Sequence, residues 1–563
     1  MKRLRWQILI VVLALIAIGV LLLSQQPVLQ VVNPVQPTSG GIYSEALVGG
    51  FGRLNPALDF YNTADHDVDR LLYSGLVKFN DYGLPEGDLV ESWGISADGK
   101  VYNFSIRPNA TWHDGQPVTS DDVIFTTDLL RNDATPLPDD IKALWKQVEV
   151  KALDQKTLQF RLPEAFAPFL DYISFGILPK HILGNTSASD MVNAQFNLQP
   201  VGSGPYRFDH LTAENGQITT VVLSANDKYH FGRPYIDQVV FRYYPDSPAA
   251  LAGYRKEDVL GIGQLNEDIL GEALKESGLN VYTGRLPDLT LLYLNLNDPK
   301  LPFFQVPTIR HALLAGLNRQ WMVDRLLNGQ AVIADGPIYP GTWAYYENIE
   351  HVEYDSTKAS AIIKANGYTI PAEGGAVRTK EGVALSFELV YPDEPKYTPL
   401  ANAIQKDWAR LGVQANLKAV PFDKLLSDYL EPHTYQAALV TLSLAGSPDP
   451  DPYPFWDQAQ ISGGQNYAQW NDRQASEFLE RARISADTGE RAKLYRNFQV
   501  RFSTDLPALP LFYPVYSYGV NDLVQNVRIG SFFDPSDRFN TLPSWYLVAK
   551  RPLGTQEMMT PTP

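Results

Sequence analysis

An α/β protein with more than one hydrophobic core is the fold class this sequence predicts, and three observations carry it. Its 563 residues exceed what a single core organises. Strand and helix patterns alternate between residues 356 and 444, which implies mainly parallel pairing. Hydrophobic residues make up 45% and charged residues 20%, the balance of a globular chain rather than a disordered one.

Composition also narrows function. A net charge of -16 and a pI near 5.0 argue against nucleic acid or an anionic membrane surface as the main partner. The absence of cysteine rules out disulfides, thiolate metal sites, cysteine nucleophiles and lipid attachment through cysteine. No G-x-x-x-x-G-K-[ST] loop is present, so the chain holds no nucleotide by that device. Its eight histidines are scattered, with no metal-ligand spacing and no nucleophile–base pair. The sequence therefore predicts neither enzyme nor metal site nor cofactor.

The N-terminus bears on compartment. Met1, Lys2, Arg3, Leu4 and Arg5 form a basic start, and an apolar run over 8–23 follows, broken only by Gly19. With Trp6 and Gln7 the run approaches the ~20 residues that span a bilayer as a helix. Positive residues before it place that end in the cytoplasm and the body outside. The alternative is a cleaved secretory signal, but 20–24 shows no small-x-small site, and Ala17-Ile18-Gly19 lies inside the run. Residues 1–23 thus read as a transmembrane signal anchor. Residues 24–40, rich in Pro and Gln, read as an extended linker.

From residue 41 the elements follow in order. Asp98-Gly99 marks a turn. The strand 101–107 then alternates, with Tyr102, Phe104 and Ile106 on one face. Thr119 caps a helix with Asp121 and Asp122 in its first turn. Residues 148–162 form a hairpin turning at Asp154-Gln155-Lys156. Gly202-Ser203-Gly204-Pro205 reads as a tight turn. Ile236, Val239 and Phe241 belong to a strand, and 290–297 to another. A helix over 308–327 puts Ile309, Leu313, Leu317 and Met322 on its apolar stripe and Arg310, Asn318, Arg319 and Asp324 elsewhere. Asp355 or Ser356 caps a helix through Ala365 that Gly367 ends. A strand over 385–391 precedes a helix opened by Thr398-Pro399 and closed at Gly412. Strand 413–419, short helix 422–430 (Phe422, Leu425, Leu426 and Tyr429 inward) and apolar strand 435–444 follow. Helices over 471–486 and 489–502 lead to 506–518, and the tail 551–563 reads as disordered.

Few residues invite a catalytic reading. His113 beside Asp114 is read as a hydrogen-bonded structural pair. His181 lacks an acid or nucleophile at a telling spacing. Ser203 is not in a G-x-S-x-G elbow. Asp449, Asp451 and Asp457 lack the glycine and spacing of an EF-hand loop.

Residues 91–126 carry a more specific signal. Glu91-Ser92-Trp93, Ser96, Asp98-Gly99, Tyr102, Phe104, Arg107, Trp112-His113-Asp114-Gly115, Pro117, Thr119 and Asp122-Val123 stand at fixed spacing. The pattern resembles the signature of the periplasmic oligopeptide/dipeptide-binding family (bacterial extracellular solute-binding protein family 5), the substrate-binding proteins of peptide ABC importers. Leu54-Asn55-Pro56, residues 71–77, Pro179-Lys180-His181, residues 201–208, residues 226–241, Arg310 to Arg319, the Asp449-Pro450 loop and Arg491, Leu494-Tyr495 and Gln499 extend the resemblance over about 54–516. Ser74 departs from it, standing where Glu is usual.

The resemblance implies a bilobal periplasmic-binding-protein fold with hinged lobes and an extra subdomain on the first lobe. The implied division is 41–290 for the first lobe with an inserted subdomain at about 70–195, 291–505 for the second lobe, and 506–550 for the return. It also implies capture of a peptide or other small solute by a monomer that serves ABC permease and ATPase subunits. By position, Phe60, Tyr61 and Asn62 match the family's first-lobe strand that pairs with the peptide backbone. Ser443, Ala445, Gly446 and Ser447 match the second-lobe wall. Two departures matter there. Gly446 stands where an aspartate anchors the ligand's free amine, and Ser443 where an aromatic is common. A buried ammonium needs a paired charge, so the departure points toward a blocked peptide, an oligosaccharide or another solute. A membrane-tethered sensor of the same fold is the other reading. Many relatives are lipoproteins held by a cysteine just after the apolar run; here the helix would have to be the tether, on the extracytoplasmic face of the cell membrane.

Overall fold

One strand, Ala508–Asn521, holds the architecture together. In the computed structural model, which describes residues 37–443 and 448–548, its first part pairs antiparallel with Asp288–Leu294 and Ala331–Ile333. Its second part pairs with Leu279–Arg285 and Gly261–Ile262. A twelve-stranded sheet therefore runs through both halves of the molecule. On one side of the shared strand lie Asp288–Leu294, Ala437–Ser443, Ser386–Pro392 and Gln414–Val420. On the other lie Gly261–Ile262, Ile42–Val48, Gln238–Tyr244, Gln217–Ala225 and Tyr206–Glu214.

Two crossings follow from the register. Arg285 pairs with Val515 in the first half, whereas Asp288 pairs with Ser443 in the second, so the chain crosses at 286–287. The shared strand crosses between Pro514, which pairs with Ala331, and Val515.

The predicted mainly parallel pairing is corrected to a mixed sheet. Ser386–Pro392 is parallel to Gln414–Val420 and to Ala437–Ser443, as the intervening helices require. Asp288–Leu294, however, is antiparallel to Ala437–Ser443 because it enters directly from the other half, not over a helical crossover.

A separate four-stranded antiparallel sheet, Val90–Ile95, Val101–Ile106, Thr157–Arg161 and Glu149–Ala152, has its own core. Tyr102, Phe104 and Ile106 are buried there as their alternation predicts, against Trp145, Phe160 and Phe169. The Asp122 carboxylate accepts both the Thr119 N–H at 2.8 Å and the Thr119 hydroxyl at 3.0 Å, fixing the start of helix Ser120–Leu130.

Several local expectations change. The predicted helix over 308–327 is two helices, Pro307–Ala315 and Arg319–Arg325, the second capped by the Asn318 side chain. Arg310 and Arg319, off the apolar stripe, are nevertheless buried. Arg310 donates to the carbonyls of Asp505, Leu506 (2.8 Å) and Phe304 (2.5 Å), and Arg319 to those of Ala334 (2.5 Å), Pro510 (3.1 Å) and Val352 (2.5 Å). The helix assigned to a Thr398 cap and a Pro399 start begins two residues earlier, as Tyr397–Arg410, without a side-chain cap. Phe422 faces solvent, because its turn precedes the π-helical segment Leu425–Leu430 that buries Leu425.

Among the described residues no helix is long and apolar enough to cross a membrane. The predicted anchor 1–23, nearly all of the linker 24–40, the tail 551–563 and the wall residues Ala445, Gly446 and Ser447 lie outside the described residues.

Candidate functional site

Of the predicted wall residues within the described chain, Phe60, Tyr61 and Asn62 sit in the first half of the molecule and Ser443 in the second. On the first half, Phe60, Tyr61 and Asn62 do not form a strand, which corrects that expectation. They close a turn in which the Asn62 N–H donates to the Asp59 carbonyl at 2.7 Å, and helix Thr63–Leu72 starts immediately after. The Asn62 side chain is the reason. Its oxygen caps the N–H groups of Ala64 and Asp65, and its amide donates to the Gly50 carbonyl (3.1 Å) and the Asp65 carboxylate (2.8 Å). Asn62 thus positions the turn, and Phe60 and Tyr61 are what the turn presents. They are 49% and 74% exposed, with ring centroids 4.9 Å apart edge to face.

Beneath that turn lies a dense set of charges. Asp65 takes the N–H groups of Gly52 (3.0 Å) and Arg53 (2.7 Å), yet burial still pushes its carboxyl up to about 6. His66 bridges Asp59 (2.9 Å) and Asp534 (3.5 Å). Burial opposes the charge on this imidazole, but the two carboxylates outweigh it and raise its pKa. Arg538 is fully buried between Glu45 (2.8 Å) and Asp67 (2.6 Å), tying strand Ile42–Val48 and helix Thr63–Leu72 to the C-terminal turn Pro535–Phe539.

On the second half, Ser443 ends strand Ala437–Ser443. Its hydroxyl donates to Asp288 at 2.6 Å, the residue opposite it in register. Burial raises the Asp288 carboxyl, while the Ser443 hydroxyl and Lys396 pull it down. Asp288 was missed in the sequence because nothing local marks it; only the strand register brings it beside Ser443. The strands Ser386–Pro392 and Gln414–Val420 end on this same edge, the carboxyl edge where open α/β sheets bind ligands. A cavity of about 340 Å³ lies at the crossings, lined by residues including Thr283, Arg285, Val515 and Ser531.

From Pro448 onward the chain is held by side chains of helix Thr488–Asp505. Arg491 grips Asp449 with two bonds of 2.5 and 2.7 Å and donates to the Tyr495 hydroxyl at 2.9 Å. Gln499 donates to the Ala344 carbonyl at 2.9 Å. The motif residues Arg491, Tyr495 and Gln499 therefore act as fasteners of this loop and its surroundings.

The residues that invited a catalytic reading are also structural. His113 does not pair with Asp114. Its Nδ1 accepts the Gly202 N–H and its Nε2 donates to the Gly204 carbonyl, both at 3.1 Å. Burial lowers its pKa to about 4, in keeping with a neutral ring. Asp114 instead meets His181 at 2.7 Å. Ser203 is buried and accepts the Ser74 N–H. Gly202 is required by close approach, not by a turn angle: a Cβ there would sit 1.9 Å from the Leu72 carbonyl oxygen. No group of three or more His, Cys, Asp or Glu among the described residues could hold a metal ion.

Residues 85–466 match the model of the bacterial extracellular solute-binding proteins, family 5 (middle region). This chain belongs to that family. It is 28% identical over 529 residues to the oligopeptide-binding protein AppA of Bacillus subtilis, covering 91% of this chain and 93% of that one. The solved structure of that protein, in complex with a nonapeptide, superposes with a TM-score of 0.64 over 91% of this chain and 100% of its own. The dipeptide-binding protein of Escherichia coli is 27% identical over 498 residues, 83% of this chain and 87% of that one. HbpA2 of Haemophilus parasuis, at 22% identity, shares the fold with a TM-score of 0.77 over 88% of this chain and 99% of its own. The fold is thus the mixed α/β periplasmic-binding-protein fold.

Proposed function

We propose that this protein captures a peptide or peptide-like solute between its two halves and delivers it to a membrane permease driven by a cytoplasmic ATPase. One observation carries the reading: near full-length similarity to an oligopeptide-binding protein whose solved structure holds a nonapeptide. The two crossings at 286–287 and 514–515 support hinge bending, since few backbone bonds need to turn for the halves to close. In this reading 41–286 and 515–550 act as the first lobe, with 70–195 inserted, and 287–514 as the second, so the boundaries expected at 290 and 506 move to the two crossings.

Phe60 and Tyr61 face the ligand from the first lobe. Ser443, Ala445, Gly446 and Ser447 line the second. Asn62 shapes the first wall and does not contact the ligand through its side chain. The protein works as a monomer, without catalysis, tethered on the extracytoplasmic face by the apolar run 8–23.

The test is a thermal-shift screen of the purified chain against free peptides, N-blocked peptides and oligosaccharides. A ligand that binds the closed form raises the melting temperature by linkage. A shift with peptides of either kind is the expected result; a shift with oligosaccharides alone, or with nothing, sinks the peptide reading. Gly446→Asp separates the two peptide kinds. It is expected to favour free-amine peptides over blocked ones, and unchanged preference would remove Gly446 from the site.

A further inference from the structure

The sheet carrying Val101–Ile106 has its own hydrophobic core, so the inserted subdomain does not need the second half for its own stability. Among the described residues it nevertheless reaches that half, through a buried hydrogen bond, an arginine between two rings and a backbone hydrogen bond. The Asp449 N–H donates to the Asp171 carboxylate at 2.8 Å, in a buried setting. Arg483 lies between the Phe166 ring at 5.1 Å and the Tyr453 ring at 4.3 Å. The Trp343 N–H donates to the Tyr82 carbonyl at 3.1 Å.

The second-half side of this contact is held in place from behind. Arg491 fixes Asp449, Trp343 covers the Arg491 guanidinium at 5.1 Å, and Arg483 pairs with Asp451 at 3.1 Å. Fixed side chains lose little entropy when a partner arrives, so the Asp171 contact is cheap to make and break as a unit.

We propose that the inserted subdomain is a clasp: Asp171 and Phe166 fasten it to the Pro448–Tyr453 loop and Arg483, adding a third, breakable attachment to the two covalent crossings between the halves. The inference rests on the hinge reading above, and it assigns the subdomain a task that the ligand walls do not perform. With only two crossings the halves are free to swing; with the clasp made they are held at three points.

The absence of cysteine makes the test direct. Exposed Lys151 on the subdomain and exposed Lys406 on the second half are changed to Cys (Lys151→Cys, Lys406→Cys) and labelled as a donor–acceptor pair in the full chain. Single-molecule distance distributions are recorded without any peptide. The expected result is a mainly closed population. Asp171→Ala then raises the open fraction about tenfold, the size of one charge-assisted hydrogen bond. Phe166→Ala, which removes a ring without touching a charge, shifts the distribution the same way and stands in if Asp171→Ala does not fold.

Distributions that neither variant moves overturn the clasp, as does a parent protein that is already open. Both outcomes are read without ligand. They are therefore distinct from failure of the peptide screen, which overturns the proposed function while leaving the distance result to stand.

Discussion

The Arg538 site of the first half and the Arg310 and Arg319 sites of the second bury charge in opposite ways. In the first, Arg538 is enclosed by the carboxylates of Glu45 and Asp67, and Glu45 also accepts the hydroxyls of Tyr43 and Tyr518 at 2.6 Å each. Asp65 and Asp69 stand on helix Thr63–Leu72 and Asp59 just before it, and all three are buried. In the second, Arg310 and Arg319 are as deeply buried but are satisfied chiefly by backbone carbonyls. Arg310 meets the end of helix Thr488–Asp505, where the aligned carbonyls favour a cation. The Arg538 site is therefore rich in buried acid and sensitive to pH, whereas Arg310 and Arg319 act as fixed fasteners; the second half also buries the ion pair of Arg491 with Asp449.

Removing one cation from each half tests this contrast most severely. Arg538→Met leaves two buried carboxylates uncompensated and is expected to cost about 4 kcal/mol at neutral pH. Arg310→Met leaves carbonyls unpaired and is expected to cost about 2–3 kcal/mol. Denaturant unfolding at two pH values separates the mechanisms. The Arg538→Met deficit should shrink on acidification, as Glu45 and Asp67 take up protons; the Arg310→Met deficit should not. Equal pH dependence in the two variants would erase the distinction.

The next effect belongs to His113, whose folded pKa lies near 4, below its ordinary 6.5. The folded state binds fewer protons there, so this contribution is full above pH 6.5 and is lost as the pH falls toward 4. The loss approaches about 3 kcal/mol. His113→Gln, which cannot titrate, should flatten the acid slope of stability in that window. An unchanged slope would assign the acid sensitivity to other groups.

Asp69 sharpens the comparison from the other side. Burial first, then the charges of Asp59 and Asp65, raise its carboxyl well above the ordinary range. Its folded form holds a proton that the unfolded chain gives up, so the native state loses stability as the pH rises from about 4 toward the folded pKa. Asp69→Asn should therefore stabilise the protein by about 1–2 kcal/mol at neutral pH and by less near pH 4. Stabilisation that is greater at low pH would contradict this account. The smallest stability effect is expected for Tyr61→Ala, within about 0.5 kcal/mol, because the side chain is mostly in solvent. A peptide identified in the screen should nonetheless bind more weakly to it.

Local elements were legible where local rules decide them. Thr119 with Asp122, Asp355 before helix Ser356–Ala365, and Gly412 at φ +79° after helix Tyr397–Arg410 all stand where capping and turn chemistry predict. Alternation also located Tyr102, Phe104 and Ile106 in a core. The burial of Arg310 and Arg319 was not legible, because helical periodicity places them only off the apolar stripe, and distant carbonyls make their burial tolerable. His113 was tied to its neighbour Asp114, whereas its real partners come from a loop about ninety residues away.

By itself, the sequence determined the family, the α/β class and most helix and strand positions, because caps, turns and hydrophobic period act over a few residues. Only the tertiary structure decided that one strand serves both halves, that Asp288 stands beside Ser443, and that Asp171 meets Asp449. These pairings join residues far apart in the chain. Their partners are chosen by sheet register and by the need to compensate buried charge, and neither leaves a mark at short range.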